Sequence, residues 1–105
     1  MPAPTPISLD GEYWRIIWVK TLPADKRDGK RTMGRCSYRA KKITVATAHK
    51  PLEVLDTLCH ELVHATDSEL TEPAVIRRAK NYSNALWAAG YRRLTDDERT
   101  TLGID

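Results

Sequence analysis

The spacing of apolar residues changes near the middle of this 105-residue chain. In the first half, short segments alternate apolar and polar residues or are dense in aromatic and β-branched ones, which is typical of strands. Residues 1–10 are rich in proline and predict a tail or an extended lead-in, whereas the polar residues 23–32 predict a mobile loop. The segments predicted to form strands are 12–20, 33–39 and 42–47. These segments predict a small three-stranded sheet, antiparallel or mixed.

The second half has the three- and four-residue spacing of helices. Pro51 suits a first helical turn, Thr71 is predicted to cap a second helix with Pro73 just inside it, and Gly90 is a good stop. A capping box at Thr95–Glu98 predicts a short last helix. The predicted buried stripe of the first helix is Leu52, Leu55, Leu58, Cys59, Leu62 and Thr66. The predicted buried stripe of the second is Val75, Ala79, Tyr82, Leu86 and Ala89. We therefore expect an α+β fold, with a flexible lead-in over residues 1–11 and a single domain over residues 12–105.

Composition narrows the classes of protein to consider. The chain has no stretch of about 18 apolar residues and no N-terminal pattern of a signal peptide, which predicts a cytoplasmic protein without a membrane span. In that compartment Cys36 and Cys59 are expected to be free thiols. Nine of the 17 basic residues lie between Lys20 and Lys42. This basic region could contact nucleic acid, although a solvated loop and strand faces are the favoured interpretation.

The segment His60-Glu61-Leu62-Val63-His64 contains the motif H-E-x-x-H. Two histidines four residues apart lie on one side of a helix, so both imidazoles can reach one metal ion. Glu61 points beside that ion, where it can act as general base towards a metal-activated water. On a helical wheel, His60 and His64 lie roughly 140–180° from Leu55, and we expect them to face a cleft or solvent opposite the leucine stripe.

A catalytic zinc needs a third protein ligand, and two carboxylates are candidates. Asp67 follows His64 by three residues and can bind only if the helix ends there. Glu72 lies beyond a break, where the chain can fold back and direct it at the metal, so Glu72 is favoured and Asp67 is the alternative. His49 is predicted to lie in a strand-to-helix connection. Three tyrosines could also donate a proton to a tetrahedral intermediate: Tyr38, Tyr82 and Tyr91. For Tyr82, a place in the core is the better prediction.

The chain resembles the zincin-like metallopeptidases, and within them the small phage- and bacteria-encoded proteins related to the ImmA/IrrE and SprT-like groups. The resemblance covers roughly residues 30–92. It is carried by Gly34, Cys36, Ile43 and Val45, then by residues 55–65, 70–75 and 87–91. It implies a zincin fold, Zn²⁺ as cofactor with Glu72 as the third ligand, and a protein or peptide substrate added to an edge strand, either Gly34–Tyr38 or Ile43–Thr47.

Two functions from different classes follow from these residues. The first is a zinc-dependent metallopeptidase with His60 and His64 as ligands and Glu61 as base. The second is a non-catalytic module of zincin shape that binds zinc, or binds DNA through its Lys20–Lys42 region. Glu61 favours the enzyme, because a structural zinc site needs no base beside the metal. The sequence makes no prediction about oligomeric state.

Overall fold

The chain folds into a four-stranded mixed sheet and three helices, as given by a computed structural model that describes residues 3–24 and 32–103. The strands are β1 (Thr5–Leu9), β2 (Glu12–Val19), β3 (Gly34–Ser37) and β4 (Lys42–Ala46). The helices are α1 (Pro51–Thr66), α2 (Glu72–Ala88) and α3 (Asp96–Leu102). The predicted α+β class is confirmed, and the predicted strands and helices occur within a few residues of their expected positions.

Strand β1 corrects the prediction of three strands. Residues 5–9 fall in the segment predicted to be a tail or a flexible lead-in, but they pair antiparallel with β2. The turn between the two strands is Asp10-Gly11, and both residues have positive φ, 52° and 77°. An Asp-Gly pair in this conformation forms a tight two-residue hairpin. Pro6 is tolerated because β1 is an edge strand.

The strands of the sheet lie in the order β1-β2-β4-β3. β4 lies parallel to β2 on one side and antiparallel to β3 on the other, so both of its edges are paired. β3 is the second edge strand, and it contacts α1. Among residues 3–24 and 32–103, β3 therefore has one unpaired edge, whereas both edges of β4 are paired.

The core lies between one face of the sheet and α1. Apolar residues alternate along the central strands, so their side chains share that face. The core consists of Trp14, Ile16, Trp18, Ile43, Val45 and Val54, with Ile7, Leu9, Cys36, Leu58, Leu62 and Ala65 packed against it. Two of the three tryptophans, Trp14 and Trp18, are thus buried in this core.

The buried residues of helix α1 do not follow the predicted leucine stripe, because two different sides of the helix are covered. Its buried residues are Val54, Thr57, Cys59, Glu61 and Val63. The sheet covers one side of α1 and α2 covers another, whereas Leu55 and Leu62 are half-buried and Thr66 is exposed. His60 and His64 are half-buried too, so they do not lie on a fully open face opposite the core.

Helix α2 packs on α1 through small residues. Thr71 caps α2 and accepts a hydrogen bond from the Ala74 amide, as predicted. Its buried residues are Val75, Ala79 and Ser83, and the Ser83 hydroxyl donates to the Asp56 carboxylate of α1 over 2.9 Å. The prediction that Tyr82 and Leu86 are buried is wrong, since they are 51% and 37% exposed. Small side chains spaced by four residues let the two helices approach closely, and this turns the bulky ones outwards.

Further predictions concern the loop, the two cysteines, the last helix and the absence of a membrane span. Most of the predicted loop over residues 23–32 lies outside the described residues. Both cysteines are free, with Cys59 buried and Cys36 half-buried. The capping box at Thr95 is formed as predicted. Within the described ranges, no helix has the length and apolar character to cross a membrane, and the cytoplasmic location stays a prediction.

Candidate metal centre

Three side chains converge at the junction of α1 and α2. The Nε2 atoms of His60 and His64 lie 3.1 Å apart. One carboxylate oxygen of Glu72 is 2.8 Å from the His60 Nε2 atom, and the other is 3.0 Å from the His64 Nε2 atom. These three residues form a group that could hold a metal ion.

The local sequence explains why the three residues meet. A four-residue step on α1 places the two imidazoles one turn apart on the same side. α1 then ends at Thr66, and Asp67 forms its C-cap. Thr71 starts α2, so Glu72 occupies the first helical position. The short connection reverses the chain and returns Glu72 to the histidines, as the favoured ligand assignment requires.

The donor spacing fits a small divalent cation. Zinc bonds to histidine nitrogen or carboxylate oxygen are about 2.0–2.2 Å, so two ligands of a tetrahedral ion lie about 3.3 Å apart. The 3.1 Å between the two imidazole nitrogens is close to that value, as are the 2.8 and 3.0 Å that join each nitrogen to a different oxygen of Glu72. With one atom from each residue, the three donors lie within 4.8 Å of one another. Both histidines are partly shielded, with side chains 23% exposed, whereas the Glu72 side chain is 56% exposed. The donor set is therefore open to solvent on the Glu72 side, where a further ligand has room.

The other candidate ligands lie elsewhere. The Asp67 carboxylate pairs with the Arg78 guanidinium at 3.5 Å, and Asp67 is not in the cluster. His49 lies in the connection between β4 and α1, as predicted. It lines a cavity of about 1050 Å³ together with Trp18, Leu55 and Trp87. None of the three clustered residues lines that cavity, so it is a separate feature from the candidate metal centre.

Glu61 is a buried carboxylate beside the cluster. Its residue is only 7% exposed, although the neighbouring His60 is half-buried. Burial raises the pKa of Glu61 to about 7, and the negative charge of Glu72 adds to the rise. A general base works best when its pKa lies near the working pH, so this environment suits proton transfer at neutral pH.

Gly34 of β3 is what allows Glu61 to lie beneath the sheet edge. A Cβ atom at position 34 would lie 2.6 Å from the Thr57 Cγ2 atom and 2.9 Å from a Glu61 carboxylate oxygen. Both distances are too short for side chains to coexist without movement. The close approach of β3 to α1 thus depends on the missing side chain, a reason for Gly34 that the sequence alone did not reveal.

We expect Gly34→Ala to destabilise the protein by about 1–3 kcal/mol, the usual range for overpacking a well-packed site. Thr57 is β-branched and cannot easily rotate away within a helix, so the strand and helix must separate. Urea unfolding of the metal-free protein would measure the loss. Adding Thr57→Ser removes the Cγ2 atom and should restore part of the stability. A double variant no more stable than Gly34→Ala would contradict this contact as the cause.

Tyr38 links the end of β3 to α1, the helix that carries His60 and His64. Its hydroxyl donates a hydrogen bond to the backbone carbonyl of His64 over 2.6 Å, and its ring meets Trp14 edge-on. That carbonyl is among the last four of α1, which have no partner within the helix. Tyr38 therefore holds the turn of α1 that carries His64, a role that spacing along the sequence did not indicate.

We expect Tyr38→Phe to lower the free energy of unfolding by about 0.5–1.5 kcal/mol, the net value of one hydrogen bond. The ring contact with Trp14 should survive. Tyr82→Phe is a matched control, because Tyr82 is similarly exposed and has no hydrogen bond through its side chain within the described ranges. Equal effects of the two changes in thermal unfolding would argue against the anchoring role of Tyr38.

Comparison with known proteins does not assign the chain to a family or give it a function. No family model, no curated protein and no solved structure matches the chain. The functional interpretation therefore depends on the chemistry of the cluster and its surroundings.

Proposed function

We propose that the chain is a zinc-dependent metallopeptidase of zincin type that hydrolyses peptide bonds. The observation that carries the proposal is the combination of three converging donors, His60, His64 and Glu72, with a buried carboxylate next to them. A site that only stabilises the fold would not need Glu61 in an environment that raises its pKa.

Each residue has a separate task in this proposal. His60, His64 and Glu72 would hold the ion with neutral imidazole and anionic carboxylate ligands, a set that suits zinc. When bound, the ion would supply Lewis acidity and lower the pKa of a coordinated water. Glu61 accepts the proton of the attacking water and returns it to the leaving amine.

The substrate in this proposal is an extended peptide. β3 is the edge strand nearest to the metal-binding helix, and its outer backbone groups lie at the edge of the sheet. An extended chain can pair with such an edge through main-chain hydrogen bonds. Gly34 lies against Glu61, so a peptide along β3 would pass the base.

Metal content and hydrolysis measured on the same sample test this function. We expect about one zinc ion per chain in the purified protein, and cleavage of an unfolded protein substrate that stops with a chelator and returns with zinc. His60→Ala should remove both the metal and the activity. Zinc binding without any cleavage would contradict the peptidase and favour the non-catalytic module.

A further inference from the structure

The face of the sheet turned away from the helices carries several positively charged side chains. On β2 the residues that alternate with the buried tryptophans point to this face, among them Tyr13, Arg15 and Ile17. On β4 and β3 the corresponding residues include Lys42 and Arg35. Helix α1 packs on the opposite face, and none of the helices of the described chain covers this one.

The strand register places these cations side by side. Arg15 is the direct partner of Lys42 across the parallel β2–β4 pair, and neighbouring strands lie about 4.8 Å apart. Arg35 lies one row further, opposite Thr44. Like charges directly opposite each other destabilise a sheet unless an anion lies between them. In the described ranges, none of the three cations has an ion-pair partner.

In the part of the chain that the structure describes, acidic side chains are scarce around this surface. The four strands contain one carboxylate, Glu12, which forms an ion pair with Lys41. In the sequence as a whole, residues 1–50 contain 11 basic and 4 acidic residues, whereas residues 51–105 contain 6 basic and 10 acidic ones. The sheet half is therefore positive and the helical half negative, a polarity that would orient the molecule towards a polyanion.

We propose that this face, defined by Tyr13, Arg15, Arg35 and Lys42, binds the phosphate backbone of a nucleic acid. Adjacent guanidinium and ammonium groups match phosphates spaced along a strand. Tyr13 lies two residues before Arg15 on the same face of β2, and its side chain, in a residue 64% exposed, offers a stacking surface. The inference is independent of the peptidase, because the metal centre lies on the helical side of the sheet.

Fluorescence anisotropy of the full chain with labelled single-stranded and duplex DNA of one sequence tests the proposal. We expect binding of one or both that weakens with salt, and the Arg15→Gln/Lys42→Gln variant to bind at least about tenfold more weakly with a salt slope smaller by about two. Arg35→Gln should reduce the slope by about one.

The matched control is Arg77→Gln/Lys80→Gln, which removes the same charge from exposed positions on α2. It should bind DNA almost as the unmodified protein does. An equal loss in both double variants would show a response to net charge and overturn the proposal, as would no binding by the unmodified protein. Thermal unfolding of each variant would exclude misfolding, because Gln at these solvent-facing sites should leave stability unchanged or slightly raised.

Discussion

Glu61→Gln should abolish hydrolysis and at the same time stabilise the metal-free protein at neutral and higher pH. The amide keeps the shape of the side chain but cannot accept the proton, so we expect cleavage to fall at least about a hundredfold, the contribution of a general base. The stability gain has a separate cause: the amide removes a carboxylate that is buried to 7% exposure and is costly to ionise there.

The sign of the stability effect follows from the pKa of Glu61. Burial raises this pKa from 4.5 to about 7, so the folded metal-free protein keeps its proton to higher pH than the unfolded chain. Its free energy of unfolding therefore falls as pH rises from about 4.5 to about 7. A difference of about 2.5 in pKa corresponds to at most ~3 kcal/mol, and we expect the glutamine variant to recover on the order of 1–3 kcal/mol at pH ~8.

Urea unfolding with a chelator at acidic and at mildly alkaline pH would measure this gain. The gain should be present at pH ~8 and largely absent at pH ~4, where the glutamate is protonated in both states. Glu69→Gln is the control, because it makes the same charge change at an exposed residue. If Glu61→Gln lowered the free energy of unfolding at either pH, the buried carboxylate would not be costly to ionise, and this explanation would be wrong.

Glu72→Ala should release the metal from an otherwise folded protein. Glu72 supplies the only carboxylate of the three-residue cluster, and two imidazoles alone leave a zinc ion short of the usual three protein ligands. We expect zinc affinity to fall by more than about a hundredfold, because loss of outer-sphere partners alone costs about 10–100-fold.

Competition with a chromophoric chelator would measure the affinity, and circular dichroism would verify that the helices remain. Asp67→Ala is a matched control that also tests the other candidate ligand. Its carboxylate pairs with Arg78 outside the cluster, so zinc affinity should change little. If Asp67→Ala released the metal and Glu72→Ala did not, the ligand assignment would have to be exchanged.

The convergence of His60, His64 and Glu72 was predictable because its geometry is local. A four-residue step on a helix fixes the two histidines relative to each other whatever the rest of the fold does. Thr71 and Pro73 predicted the start of α2, and this start returns Glu72 to the site. Short-range capping and turn chemistry thus specified the three donors.

The features that the sequence did not reveal depend on contacts between distant segments. The role of Gly34 arises only when β3 approaches α1, and the Tyr38 hydroxyl reaches a carbonyl 26 residues away. On α2, periodicity favoured Tyr82 for the core, yet close packing against α1 selected Ser83. β1 could have been found locally, since Asp10-Gly11 is a strong hairpin signal that the surrounding prolines obscured.

All three donor groups lie between residues 60 and 72, on one helical hairpin, whereas the buried setting of Glu61 requires β3 from the other half of the chain. Closing so short a segment has a small entropic cost. Binding of the ion could therefore precede packing of the sheet during folding. The bound ion would then stabilise the α1–α2 hairpin before the sheet forms. If the proposed function is right, a variant whose sheet does not form should therefore still bind the ion, whereas Glu61 would be exposed to solvent.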